Sequence, residues 1–422
     1  MRFKIAYQIG IGFFELGIWL MAAFSAKIRR MLIGRSITMD RLRKFRMEHA
    51  NDQVVWFHAA SVGEFEQALP VFKILKEELP EVGIAVSFFS PSGFELRHKH
   101  PLVDVSFYLP GDRTWNASKV IKILKPRALV LVKYEFWYNF IFTCSRLKVP
   151  VISICCILKK ETLQKFGPSA ILKNTLPLLS HFFVQNIETS QVLRDLGLQN
   201  FSINGDTRVD RVLEIKELGA EIPWLETWKG DSKLLVIGSA WIEDLLFLRK
   251  FLKHAVVEAH GLWKVLIAPH EIDEKHLNNL THSLQLPFDL YTDWKENQED
   301  TDILILNTLG LLSRTYRYAD AAWIGGGFKT GLHNTLEAAV FGIPIGFGPK
   351  FEKFQEAKDL IEIGVAKSFP NVLSDWEFFQ QSTENEEDRM RILNGSQLYF
   401  ERQKGASQAI VQYVRNLLLE KF

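Results

Sequence analysis

The chain has 422 residues, 47% hydrophobic and 24% charged, which makes it a folded globular protein of two or three domains at roughly 150 residues each. Its 51 Lys and Arg against 49 Asp and Glu leave a net charge of +2, which excludes a cationic nucleic-acid coat and an acidic tail. Three cysteines, Cys144, Cys155 and Cys156, are too few for a disulfide framework and lack zinc-finger spacing, so a reducing compartment fits.

Charge is uneven along the chain. Residues 1–50 hold ten Lys and Arg against three Asp and Glu, a surplus of +7, and the remainder sits at −5. Ile5 to Phe24 is an apolar run of 20 residues, about 30 Å as a helix and so the thickness of a bilayer core. Lys27, Arg29, Arg30, Arg35, Arg41, Arg43, Lys44 and Arg46 follow it, a cluster expected to stay on the cytoplasmic side. A cleaved signal peptide fits poorly, because Glu15 interrupts the run and the basic block resists translocation. A spanning helix must bury Glu15, at about 3 kcal/mol. A helix lying in the membrane interface, with the basic stretch on anionic headgroups, avoids that cost and is the favoured reading.

After residue 50, short apolar runs alternate with amphipathic stretches, the pattern of an α/β fold. Buried parallel strands are expected at 54–60, 84–89, 128–132, 149–155 and 181–186, with a helix over Glu64–Leu79. The charged, glycine-bearing segment 206–232 reads as a linker. A second series of strands is expected at 233–239, 263–270, 301–307, 321–327 and 343–348, and helices over 385–422. The organisation is therefore an anchor and basic segment (1–50), a Rossmann-like domain (51–205), the linker, a second Rossmann-like domain (233–384) and C-terminal helices. Two such domains facing a cleft would place ligands at the carboxyl ends of their strands.

Candidate chemistry gathers in those strand-end loops. In "HAASVGE" (58–64), Glu64 follows a strand, where partial desolvation makes a carboxylate a usable general base. The same residues also spell a capping box, with Ser61 as N-cap. In "GGGFKTGLHNTLEAA" (325–339), a helix beginning near Asn334 offers N–H groups to a phosphate, and Asn334 and Glu337 share a face suited to ribose hydroxyls. A tight turn with an N-cap explains the same residues. Lys329–Thr330 ends like a P-loop, but Phe328 stands where glycine is required, which rejects an NTPase. Asp300 and Asp302 precede their strand in an acidic run, and His270 and His276 lie six apart on different helical faces, so neither pair indicates a metal.

Taken together, "HAASVGE" (58–64), "SPSGFE" (90–95), "KYEFWYN" (133–139), "GDTRVD" (205–210), "APHE" (268–271) and "HNTLEAAVFGIPIGFGPKFEKFQEA" (333–357) resemble the 3-deoxy-D-manno-octulosonic acid (Kdo) transferases. Each motif is weak alone, and their order over nearly the whole chain is specific. The resemblance implies a GT-B fold and metal-independent, inverting transfer of Kdo from CMP-Kdo to the lipid A precursor, lipid IVA. It places that activity at the cytoplasmic face of the inner membrane, with anionic lipid as partner, no nucleic acid and no cofactor.

By position, the resemblance makes Glu64 the general base, with Glu135 and Arg208 stabilising the transition state. It assigns Pro269, His270, Leu309, Gly310, Leu311, Asn334, Thr335, Leu336 and Glu337 to CMP. His270 stands where the family has Arg, Leu311 where it has Glu and Lys350 where His is usual, and "CCILKKET" (155–162) replaces an Asn-Ala-Arg-Leu-Ser run. Another GT-B transferase or an epimerase using a UDP-sugar is the competing enzyme, and an inactive lipid-binding scaffold the competing non-enzyme.

Overall fold

The computed structural model describes residues 2–50, 52–165, 167–219, 221–258, 262–295, 301–329, 331–370 and 376–419. Asp300 and Thr330, weighed above, lie outside them. The chain divides into two compact units, Met1–Asp210 with Gln403–Phe422, and Arg211–Arg402. The segment read as a linker carries two helices, Thr207–Leu218 and Pro223–Lys229, and the division falls within the first of them. Of the C-terminal helices, Glu386–Gln403 lies almost wholly in the second unit and Ala406–Leu419 in the first.

The first unit holds a parallel sheet of β1 (Val54–His58), β2 (Gly83–Phe88), β3 (Val105–Tyr108), β4 (Ala128–Val132), β5 (Val151–Cys156), β6 (His181–Val184) and β7 (Phe201–Ile203). Their order is β3-β2-β1-β4-β5-β6-β7. Strands β1, β2, β4 and β5 are buried along their whole length, as their near-continuous apolar runs require when helices cover both faces. One face is closed by helix Val62–Glu78 through Phe65, Phe72 and Leu75, joined by Ile410, Val411 and Val414 of helix Ala406–Leu419. The other is closed by residues such as Val120, Leu124, Phe140 and Ile141. Strands β3 and β7 were not expected from the sequence.

The second unit repeats the plan with β8 (Lys233–Ala240), β9 (Trp263–Pro269), β10 (Asp289–Leu290), β11 (Ile303–Ile305), β12 (Ala321–Ile324), β13 (Ile345–Phe347) and β14 (Ala366–Ser368). Their order is β10-β11-β9-β8-β12-β13-β14, again with parallel pairing. In each sheet the order reverses beside the first strand, at β1/β4 and at β8/β12. That reversal is the switch point at which open α/β sheets bind ligands.

The N-terminal apolar run forms helix Arg2–Ala22, which docks on the first unit by polar contacts and by buried Ile11, Ile18 and Ala22. Tyr7 donates its hydroxyl to Asp112 Oδ2 at 2.6 Å, Gln8 donates to Asn139 Oδ1 at 2.7 Å, and Arg113 pairs with Glu15 at 2.8 Å. Asp112 also accepts from the backbone N–H groups of Asn139 and Phe140 at 3.1 Å each. Burial pushes its carboxyl up to about 6. Most of its larger apolar residues face outward: Phe13 is 71% exposed and Trp19 67%, with Ile5, Ile9, Leu16 and Leu20 also exposed. The helix is long and apolar enough to cross a membrane, and its buried side mixes polar contacts with apolar packing while a broad apolar row stays exposed.

Candidate active site

The switch point of the first sheet assembles the charged cluster. Helix Val62–Glu78 follows β1 at once, and Ser61 caps it by accepting the backbone N–H of Glu64 at 3.4 Å. The Glu64 carboxylate turns back to accept the Ala60 N–H at 2.5 Å. Ser61 is thus the helix N-cap, and the Glu64 carboxylate is held at the Ala60 N–H just before it. Glu64 is only 6% exposed. Burial, with the Glu135 carboxylate nearby, pushes its carboxyl up to about 7 against the opposing pull of the Ala60 N–H and of Lys133. A carboxylate poised there accepts a proton near neutrality.

Glu135 follows β4. Its Oε2 accepts the Trp137 indole N–H at 3.0 Å and lies 3.7 Å from His58 Nε2. The same indole donates to His58 Nε2 at 3.1 Å, so that nitrogen is an acceptor, and Nδ1 donates to Ser87 Oγ at 2.9 Å. The imidazole thus locks Trp137, and Trp137 holds Glu135. Lys133 opens the same loop in a left-handed conformation with φ 62°. Cys155 at the end of β5 is also left-handed, φ 51°, and the pairing of Val132 with Ile154 sets the two bends side by side.

Arg208 is bound to Asp206, its Nε at 3.0 Å and a terminal nitrogen at 2.7 Å. Gln67 and Gln185 also donate to this buried carboxylate, at 3.1 and 2.8 Å. Burial alone would raise Asp206, but the Arg208 guanidinium more than offsets it and holds the carboxyl below its usual range. Asp206 and Lys133 were not singled out from the sequence, although each sits in a quoted motif. Beside this cluster lies an apolar cavity of about 460 Å³ lined by Tyr134, Phe136, Leu158, Thr162, Pro168 and Ile171. The departing run at 155–162 therefore forms one of its walls.

In the second unit, β8, β9 and β12 end together. Pro269 closes β9, and His270 stacks on Trp241 and on His333 with ring centroids 4.4 Å apart in each pair. The Trp241 indole donates to His333 Nε2 at 3.2 Å. Burial lowers His270, and it drives His333 down to about 4 with help from His270, so two imidazoles stack without charge repulsion. Asp244 ties this corner together, accepting from Trp241 N, Gly326 N and the Trp323 indole at 3.0–3.1 Å.

The glycine run serves the protein's own backbone. A Cβ on Gly325 would lie 2.2 Å from Ser239 O, and one on Gly327 would lie 2.6 Å from Gly348 N. The helix expected from Asn334 spans only Leu336–Ala339, a single turn. Asn334 Nδ2 donates to Glu337 Oε1 at 3.1 Å, and its Oδ1 accepts from Leu336 N. Thr335 is fully buried, and its hydroxyl has no partner among the described residues. Leu336 packs in the core. Leu309 is exposed, Gly310 takes φ 90°, and Leu311 leads into helix Leu312–Thr315. Lys350 donates its backbone N–H to Gly327 O at 2.8 Å. Next to His270, exposed Glu271, Asp273 and His276 bring three donor atoms within 4.8 Å of one another.

Residues 38–211 match the family described as 3-deoxy-D-manno-octulosonic-acid transferase (kdotransferase). A 3-deoxy-D-manno-octulosonic acid transferase of Chlamydophila psittaci is 29% identical over 324 residues, 74% of this chain and 73% of that one. The transferase of the same name from Haemophilus influenzae is 24% identical over 379 residues, 87% of each chain. Among solved structures, UDP-GlcNAc 2-epimerase of Neisseria meningitidis superposes with a TM-score of 0.59 at 14% identity, covering 87% of this chain and 100% of that one. MurG of Acinetobacter baumannii gives 0.55 at 14% identity, covering 86% and 99%. Both likenesses speak to fold alone. With its two parallel α/β domains, the chain is a glycosyltransferase of GT-B fold, homologous to the 3-deoxy-D-manno-octulosonic acid transferases.

Proposed function

We propose that this chain transfers Kdo from CMP-Kdo to the lipid A precursor, lipid IVA, in a single inverting step. The observation that carries the reading is Glu64, a buried carboxylate fixed by backbone N–H groups and raised to about 7 at the switch point of the first sheet. An acceptor hydroxyl has a high pKa, so Glu64 removes its proton as the new bond forms. The hydroxyl oxygen bonds to the anomeric carbon of Kdo, the bond from that carbon to the phosphate oxygen breaks, and its electron pair leaves on CMP. The proton ends on Glu64. Glu135 and Arg208 steady the transition state, and both are already oriented, by Trp137 and Asp206.

In this reading the second unit binds CMP through Pro269–His270, Leu309–Leu311 and Asn334–Glu337. The stacked His270 supplies a flat, uncharged face in place of a guanidinium, and Asn334 and Glu337, already bonded to one another, supply ribose contacts. CMP leaves as a monoester with less charge than a nucleoside diphosphate, so no metal is required. The decisive experiment is incubation of the full chain with CMP-Kdo and acylated acceptor, with the product read by mass spectrometry. A Kdo-bearing glycolipid supports the reading. Turnover of UDP-sugars instead, or of neither donor, rejects it.

The outward-facing apolar row of helix Arg2–Ala22 supports an interfacial placement at the cytoplasmic face of the inner membrane. Glu15, the obstacle to spanning, spends its charge on Arg113 within the folded unit. Basic residues following the helix favour anionic headgroups.

A further inference from the structure

We propose that Lys133 forms the subsite for the carboxylate that the donor sugar carries on its anomeric carbon. The inference rests on the transfer reading above and adds a binding residue to it.

Lys133 is held at the exit of β4 from both sides. Its backbone N–H donates to Ile154 O at 2.9 Å, and its carbonyl accepts from Ser153 Oγ at 2.9 Å. A non-glycine residue at φ 62° is strained and persists where its surroundings over-determine it, commonly at functional sites. The register sets it level with Cys155, itself left-handed, so β4 and β5 bend together at the same height.

Its charge reaches two places. It acts on Glu64, and it acts on Asp206, so the ammonium lies within electrostatic range of both the base and the Arg208–Asp206 pair. Among the described residues it has no hydrogen-bond or ion-pair partner at its side chain. Arg208, by contrast, is committed to Asp206 through both its side-chain and backbone nitrogens. A half-buried ammonium at the exit of β4, in electrostatic range of two carboxylates and paired with neither among the described residues, is placed for an anion that arrives with the ligand.

The donor's chemistry supplies that anion. An octulosonic acid bears its carboxylate directly on the anomeric carbon, one bond from the reacting atom. In an inverting displacement the acceptor oxygen and Glu64 share one side of that carbon, and the phosphate departs on the other. The carboxylate stands to the side of that line on the same carbon, so a cation beside Glu64 is placed to meet it. Without it, Glu64, Glu135 and the sugar carboxylate would bring three negative charges together, which disfavours binding.

The test uses the full chain with Lys133→Met and Lys133→Arg, CMP-Kdo, and a donor analogue whose carboxylate is a carboxamide. Loss of one charge-assisted contact is expected to raise the KM for CMP-Kdo about ten- to a hundredfold in K133M, with K133R recovering most of it. Wild type should discriminate against the carboxamide by a similar factor, and K133M should not. CMP alone should bind both forms equally, measured by calorimetry, which also reports that K133M is folded. An active wild type with unchanged KM in K133M, or equal discrimination against the carboxamide in both forms, overturns the inference while leaving Kdo transfer standing. Weakened CMP binding in folded K133M assigns the cation to the phosphate and also overturns it. A wild type inert towards CMP-Kdo overturns the transfer reading and this inference with it.

Discussion

Glu64→Gln tests the base through stability as well as rate. Folding moves this carboxyl from the usual 4.5 to about 7, chiefly by burial. The folded state therefore holds the proton more tightly than the unfolded state does. Its stabilising contribution is complete below 4.5 and is lost as pH rises through about 7. At about 1.4 kcal/mol per pH unit the total loss is about 3 kcal/mol, of which glutamine loses none. Glutamine keeps an oxygen for the Ala60 N–H and has no charge to desolvate. The variant should match wild type near pH 4.5 and exceed it by up to about 3 kcal/mol near pH 8. Urea unfolding followed by tryptophan fluorescence reports this, because Trp56 and Trp137 belong to the same unit. Over the same range the variant should lose about 10²–10⁴-fold in turnover while CMP binding is unchanged. Parallel stability–pH curves would refute the desolvation argument. Turnover above about a tenth of wild type would refute the base.

In wild type, kcat should rise with pH through a midpoint near 7 as Glu64 gives up its proton, and a flat profile between about pH 6 and 8 would oppose that. His270→Ala removes the centre of the Trp241–His270–His333 stack and should weaken CMP binding about three- to tenfold by calorimetry. Phe13→Asp with Trp19→Asp places charge on the exposed row of the N-terminal helix and should reduce flotation with anionic vesicles while leaving CMP affinity intact; equal flotation would locate the anchor elsewhere. Turnover should survive EDTA, and a loss restored by Mg²⁺ would return attention to Glu271, Asp273 and His276.

The long buried strands were legible because a strand covered on both faces must be apolar throughout, as in 128–132. Strands β3, β7, β10 and β14 escaped notice. They are two to four residues long and lie at or near sheet edges, where no such run is required. The helix expected from Asn334 starts close to it, where Asn334 Oδ1 accepts Leu336 N, but runs only one turn, with Gly342 at φ 70° following within a few residues. Glu64 could be read from its place after a strand. The long-range contacts could not: Asp206 meets Gln67 across 139 residues of sequence, and Arg113 meets Glu15 across 98. The stack of Trp241, His270 and His333 likewise joins three strand ends that no local spacing relates.

The docking of the N-terminal helix has a consequence for biogenesis. Tyr7 bonds to a residue 105 positions downstream, and Gln8 to one 131 downstream. At about 5–20 residues per second of synthesis, the helix is complete several seconds before the surface that receives its polar side exists. During that interval the chain presents an apolar segment of membrane-spanning length with an unpaired Glu15. Insertion and docking are then rival fates separated by time, and only docking gives Glu15 its arginine. Slowing translation between residue 22 and residue 113 lengthens the first window, whereas presenting the finished chain to a bilayer removes it. If the membrane competes for this helix, its final topology would depend on the rate of synthesis as well as on the energies of the two end states.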